Sequence, residues 1–493
     1  MVCVIHRTFL YNLLAGHGTV MVQKQNGALA LAMDGSFFRS YFPTKNISAV
    51  EILISLAGSR AYGLATPTSD TDIRGVYIQD PRSWLGMGNC EPLVENKRDD
   101  CVLWELGFFI QKMLESTPNM MEALWTDTVL GVNEYGEELL TARQEFLSTA
   151  IHSRLGGFCT QQMRDVEKSL KPDGSYDYKA GHHALRVISA AIYADETGAY
   201  KVTEYGEWAD YLRKVKAGEV PYSELKEKLL ELEAKWKEAR EKTKLPEQVS
   251  VERAAQLLVR LRKRYLRSQG ITAEKYSVII PAHTQTELPL PDGTKRAIFV
   301  ADGNDLLKQP VVTSVDLSGG AGDRVELRDA LHHIYKGHPL MISALYSPEV
   351  EKSLDANPVG MFLFKWRDSL TTTVVQHSFR GFLSDGIRRL TAPPEDGKDR
   401  IEADIKRMYY QVVKTSQALY LPAENRKAFL QEAYAQDAAT LTMDEIIQMC
   451  REREVELAHS KPPEHLAQPR NGVSPELDRE LLSIRLGHIA AEM

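Results

Sequence analysis

Two aspartates two residues apart, Asp70 and Asp72, follow a Gly-Ser pair in the segment Gly58-Ser59-Arg60-Ala61-Tyr62-Gly63-Leu64-Ala65-Thr66-Pro67-Thr68-Ser69-Asp70-Thr71-Asp72-Ile73-Arg74-Gly75. An apolar strand pattern, Val50 to Leu56, runs into Gly58. Glycine lets the backbone turn tightly there, and Ser59 offers a hydroxyl and a backbone N–H to a phosphate. Strand periodicity places the side chains of Asp70 and Asp72 on one face. Paired carboxylates beside a phosphate cradle suit a hard divalent cation, because Mg2+ favours one or two carboxylates plus phosphate oxygens. An ordinary surface turn rich in Ser, Thr and Asp would explain Asp-x-Asp alone, but not its position between two apolar strands, the second being Val76-Tyr77-Ile78.

Transfer chemistry on two metal ions needs a third carboxylate on a neighbouring strand. Asp100 opens the strand pattern Cys101 to Trp104 and is the first choice; Asp99 is the alternative, since strand register decides which of the two points inward. A second cluster stands in the helical pattern from Tyr176 to Glu196. There Lys179, His183 and Arg186 fall on one face, a cationic stripe able to grip a triphosphate. A solvated helix face accounts for the same pattern.

These residues resemble a known family. The wording from Gly58 to Tyr77 resembles the signature of the DNA polymerase beta nucleotidyltransferase superfamily, and more closely its phage and bacterial branch associated with RNA ligase and RNA-repair genes. Tyr176-Asp177-x-Lys179-x-x-x-His183-x-x-Arg186 resembles the second signature of that branch. The resemblance implies that Gly58 and Ser59 touch the triphosphate. It also implies that Asp70, Asp72 and Asp100 hold Mg2+ (or Mn2+), and that Lys179, His183 and Arg186 contact the nucleotide. Glu122 fits the Pro-Asn-x-x-Glu pattern of the branch, as a tether below the site. Two departures stand out: Val187-Ile188 replace two leucines, and Gly107-Phe108 stand where the branch carries a lysine.

The elements that must position these groups follow from the rest of the chain. A chain of 493 residues suggests roughly two to four domains. A hydrophobic content of 43% and a net charge of −7 describe a globular protein and exclude a general nucleic-acid coat, though not a local basic groove. Cys3, Cys90, Cys101, Cys159 and Cys450 are scattered, without metal or redox spacing, and read as free thiols of a cytoplasmic protein. No apolar run is long enough to span a bilayer, and the N-terminal stretch lacks a cleavage site.

The expected fold class is α/β: a polymerase beta-like mixed-sheet nucleotidyltransferase core with a helical domain, followed by a degenerate second copy. The boundaries read as an extension at 1–45, a catalytic core at 46–130 and a helical nucleotide or substrate domain at 131–268. A strand-rich linker or decayed core follows at 269–322, then a C-terminal helical lobe at 323–493. The repeat rests on Pro118-Asn119-Met120-Met121-Glu122-Ala123-Leu124-Trp125 matching Pro339-Leu340-Met341-Ile342-Ser343-Ala344-Leu345-Tyr346. Gly157-Phe158 then matches Gly381-Phe382, and Asp177-x-Lys179 matches Asp404-x-Lys406, in the same order. In the second half the chemistry is missing: Ser343 replaces Glu122, and Tyr410 and Val413 replace the His/Arg face. A hairpin with an Asp292-Gly293 turn is expected before Ala297–Val300, after strand-like Ser277–Ile280. The basic run Arg260 to Arg267 is either an exposed helix face or an RNA contact, and His332-His333 lack a metal-spaced partner.

The expected activity is transfer of a nucleoside monophosphate from an NTP to an acceptor hydroxyl, with an RNA 3′ end as acceptor in repair or tRNA maturation. Transfer to a protein or small molecule is the alternative. A quiet RNA-binding protein is a third reading, against which the intact Asp70 and Asp72 stand. The expected partners are the NTP and RNA, with no membrane.

Overall fold

The structure, a computed structural model, describes residues 22–25, 28–31, 33–45, 47–86, 90–270, 285–289, 296–300, 324–348, 358–391, 402–466, 474–481 and 483. Strand-like Ser277–Ile280, the turn at Asp292-Gly293 and the Ser318–Gly322 loop lie outside these residues. The described residues form two compact units, one from 22–80 and 90–264, the other from 81–86 and 265–483.

The first unit opens with an antiparallel hairpin, β1 (Val22–Gln25) and β2 (Ala28–Leu31), and a short helix, Ser36–Tyr41. Buried Glu51 accepts the backbone N–H groups of Gly35 and Phe38 and so ties the start of that helix to the central strand. A five-stranded sheet follows, formed by β3 (Ala49–Ala57), β4 (Asp72–Gln79), β5 (Leu93–Asn96), β6 (Cys101–Glu105) and β7 (Val129–Val132). Its order is β5-β6-β4-β3-β7, with β4 and β6 parallel and the other pairs antiparallel. The mixed sheet is thus the expected one. Strand β3 is buried from Glu51 to Ala57, as its apolar run requires of a central strand covered on both faces.

The chain leaves β6 directly into the helix Leu106–Leu114. Glu105 ends the strand and caps the helix, accepting the Gly107 N–H at 2.7 Å. Pro118 starts the helix Pro118–Trp125, where its missing N–H costs nothing. That helix is anchored under the sheet by a 2.9 Å hydrogen bond from Ser55 Oγ to the Ala123 carbonyl. The helical region then contains Ile151–Ser169, Tyr178–Thr197, Gly206–Ala217, Tyr222–Glu241 and Val251–Ser268. Asp177 caps the second of these, accepting the Ala180 N–H at 2.9 Å.

In the second unit, β8 (Gln285–Pro289) and β9 (Arg296–Val300) pair antiparallel, and β10 (Arg324–Glu326) pairs parallel with β9. Helix Leu327–Tyr335 follows β10 directly, and Pro339 starts the helix Pro339–Leu345. The core of this unit gathers Phe362, Phe379, Leu383, Tyr410 and Val412. Among the described residues no helix is long and apolar enough to cross a membrane.

Candidate active site

The register of the sheet brings the carboxylates together. Ala57 pairs with Asp72 across β3 and β4, so the Gly58-Ser59 turn emerges beside that aspartate. Ile73 pairs with Cys101 across the parallel strands β4 and β6, which sets Asp72 next to Asp100. Asp70 lies two residues before Asp72, in the loop rather than on the strand. Oxygens of Asp70, Asp72 and Asp100 all come within 4.8 Å of one another. Asp99 instead accepts a 2.7 Å hydrogen bond from Asn96 Nδ2 and stands apart from this triad.

Gly58 has φ +61°, and a Cβ there would sit 1.7 Å from Asp72 Oδ2. Two independent constraints, dihedral and space, therefore require glycine at this turn. Arg60 pins the loop that carries Asp70, donating to the carbonyls of Asp70 and Ser69 at 2.8 and 2.6 Å. Asp100 has φ +41°, a region in which Asp is among the few residues found. Its carbonyl accepts the Ile73 N–H at 3.0 Å and Arg74 Nη1 at 2.7 Å, and its carboxylate pairs with Arg74 Nη2 at 3.0 Å. These bonds hold the residue in that conformation.

Burial and the hydrogen bond with Asp100 push the Asp72 carboxyl up to about 7. The same hydrogen bond, with Arg74 and Lys179 nearby, holds Asp100 below the usual carboxylate range. The two carboxyls thus share one proton near neutrality, as closely placed like charges do. All-oxygen donors at this spacing, three carboxylates without thiol or imidazole, fit a hard divalent ion rather than a softer metal.

The triad opens into a cavity of about 570 Å3. Gly58, Ser59, Asp70, Asp72 and Asp100 line it on the sheet side. Lys179 and His183 line it from the helix Tyr178–Thr197. Arg186, expected on the same cationic stripe, does not: it is 2% exposed and lies beneath the cavity. Its guanidinium stacks 3.7 Å from the Tyr62 ring centroid and pairs with Glu122 at 2.5 Å. Glu122 also accepts the Tyr62 hydroxyl at 2.6 Å. The tether read for Glu122 is therefore a buried Tyr62–Glu122–Arg186 network.

Arg74 and Lys216 escaped the sequence reading, and His182 belongs to the second candidate helix, Tyr176, Asp177, Lys179, His182, His183 and Arg186, without a place on its cationic face. Arg74 shares the face of Asp72 by strand period, a signal that was present. His182 lies three residues after Lys179, also within reach of helical spacing. Lys216 comes from the helix Gly206–Ala217 and gave no local signal. The basic run is not an open patch throughout. Arg262 is buried against Glu105 at 2.9 Å, and Arg260 and Arg264 both pair with Glu138. In the second unit, Arg407 and Tyr410 border a separate cavity of about 260 Å3. The carboxylate triad of the first unit has no counterpart among the described residues.

Residues 44–264 match the RNA repair pathway DNA polymerase beta family. An uncharacterized protein of Methanocaldococcus jannaschii is 29% identical over 160 residues, which are 31% of this chain and 63% of that protein. The chain thus spans less than two thirds of that relative's length. No solved structure gives a significant match.

Proposed function

We propose that this chain, whose residues 44–264 match the RNA repair pathway DNA polymerase beta family, is a nucleotidyltransferase that moves an NMP from an NTP to an RNA 3′ end. The observation that carries the reading is the convergence of Asp70, Asp72 and Asp100 against the Gly58-Ser59 turn in one cavity.

In this reading the acceptor oxygen attacks the α-phosphorus, the bond to the bridging oxygen breaks, and pyrophosphate leaves. Asp70, Asp72 and Asp100 would hold the divalent ions, which when bound neutralise phosphate charge and activate the attacking hydroxyl. Gly58 and Ser59 orient the triphosphate; the Ser59 hydroxyl is buried without a protein partner. Lys179 and Lys216 supply positive charge along the same cavity. Arg74 holds Asp100 in place. Positioning and charge neutralisation account for most of the acceleration in such reactions.

The second unit is read as a degenerate copy of the first. The strand order β8-β9-β10, with one antiparallel and one parallel pair leading into a helix and a Pro-started helix, supports this. It parallels β3-β4-β6 and the helices Leu106–Leu114 and Pro118–Trp125. Buried Ser343 and Tyr410 stand where the first unit has Glu122 and His183.

The test is incubation of the purified protein, and of an Asp70→Ala/Asp72→Ala variant, with each α-labelled NTP, Mg2+ or Mn2+, total RNA and protein lysate. Label in RNA from the wild type alone supports the reading and names the nucleotide. Label in protein moves the acceptor to the alternative class. Nucleotide binding without label from either protein overturns the enzymatic reading.

A further inference from the structure

We propose that His182 reads the nucleoside portion of the nucleotide, hydrogen-bonding a neutral group of the ribose or base rather than a phosphate. The inference rests on the nucleotidyltransferase reading and adds to it a selectivity residue.

His182 lines the cavity yet is only 3% exposed. Both of its ring nitrogens are buried and have no hydrogen-bond partner in the protein. Leaving such groups unsatisfied costs stability, and native proteins rarely do so twice on one side chain. A ring serving only to fill space would be replaced more cheaply by leucine. Its neighbours do not satisfy it either. His183 meets it edge-on, with ring centroids 5.1 Å apart, and that ring also carries a buried, unpartnered Nδ1. The pair therefore stands in the cavity wall with donors and acceptors that the protein leaves unused.

The surrounding charges indicate which part of a nucleotide belongs there. Lys179, near enough to influence Asp100, marks the carboxylate and phosphate end of the helix. His182 is the next residue toward the helix C-terminus to line the cavity. Burial, then His183, Arg186, Lys216 and Lys179, hold its imidazole neutral, down to about 2. Burial, then Arg186, Lys179 and Lys216, with Glu122 opposing, bring His183 down to about 4. A neutral imidazole is one donor and one acceptor. It matches a hydroxyl or a base edge, and it is a poor partner for phosphate beside two ammonium groups able to serve that role better.

The experiment is calorimetric titration of wild type, His182→Ala and His182→Gln with α,β-methylene analogues of the four NTPs and with inorganic tripolyphosphate, all in Mg2+. The 2′-deoxy and 3′-deoxy forms separate sugar from base, and thermal unfolding of each variant checks the fold. The expected result is a loss of about tenfold or more for the preferred nucleotide in His182→Ala, as one lost hydrogen bond to a buried group implies. Tripolyphosphate binding stays unchanged, and His182→Gln, which keeps a donor and an acceptor, recovers part of the loss. Erased discrimination against a deoxy form assigns the contact to the ribose; levelled affinities among the four bases assign it to the base. Equal loss for tripolyphosphate, or no loss in a folded variant, overturns the assignment. Wild type that binds tripolyphosphate but no nucleotide overturns the nucleotidyltransferase reading itself, and this assignment with it.

Discussion

At the scale of single residues, the site combines a carboxyl raised toward neutrality with two unusual backbone conformations. Asp72 is raised to about 7 by burial and by its hydrogen bond with Asp100. Below that value the pair carries one fewer negative charge, so a proton competes with a cation; above it the proton is gone. Affinity for Mg2+ should therefore fall as the pH drops through about 7. Titration near pH 6 in buffers of different ionisation enthalpy should register release of up to about one proton per ion bound, and almost none near pH 9. Equal proton release at both would refute the shared-proton account. Asp100→Asn tests the third carboxylate cleanly, because Asn also tolerates the left-handed conformation seen at φ +41°. The variant should stay folded and lose about tenfold or more in Mg2+ affinity, since even outer partners of ligands are worth that much. Gly58→Ala should act through space, its Cβ displacing Asp72, with metal binding lost while the sheet still forms.

At the scale of elements, buried ion pairs join helices to the sheet. Glu105 closes β6, caps the next helix and pairs with Arg262 of the helix Val251–Ser268, both side chains at most 1% exposed. Removing one partner leaves an uncompensated charge, so Arg262→Ala should cost about 3–5 kcal/mol in urea unfolding. Arg260→Ala, with a side chain 58% exposed, should cost less than about 1 kcal/mol. Equal effects would mean that the run acts as a surface patch. The Gly58–Gly63 turn is clamped in a comparable way by distant sequence. Thr203 Oγ1 donates to the Ala61 carbonyl at 3.0 Å, and Glu204 N donates to the Tyr62 carbonyl at 2.9 Å. Arg213 Nη2 reaches the Gly63 carbonyl at 2.6 Å. The helical region thus shapes the phosphate turn as well as lining the cavity.

At the scale of the whole molecule, the carboxylate triad lies in one unit, with no counterpart among the described residues of the other. All transfer by the full chain should vanish in Asp70→Ala/Asp72→Ala, with no residual incorporation of label under any metal. Residual incorporation would show a second active centre. The sequence by itself determined the strands β3, β4 and β6, the turn between them and the candidate carboxylates, because period-two burial, a glycine turn and strand-to-helix transitions are local patterns. It also placed Lys179 and His183 on one helix face. Only the tertiary structure set Asp100 rather than Asp99 beside Asp70 and Asp72, since a one-residue change of register swaps the face. It alone sent Arg186 under the cavity to meet Tyr62 and Glu122, brought Lys216 into it, and buried Arg262 against Glu105. Those outcomes depend on contacts between residues far apart in the chain, where burial and pairing, not spacing, decide whether a charge faces a ligand or another side chain.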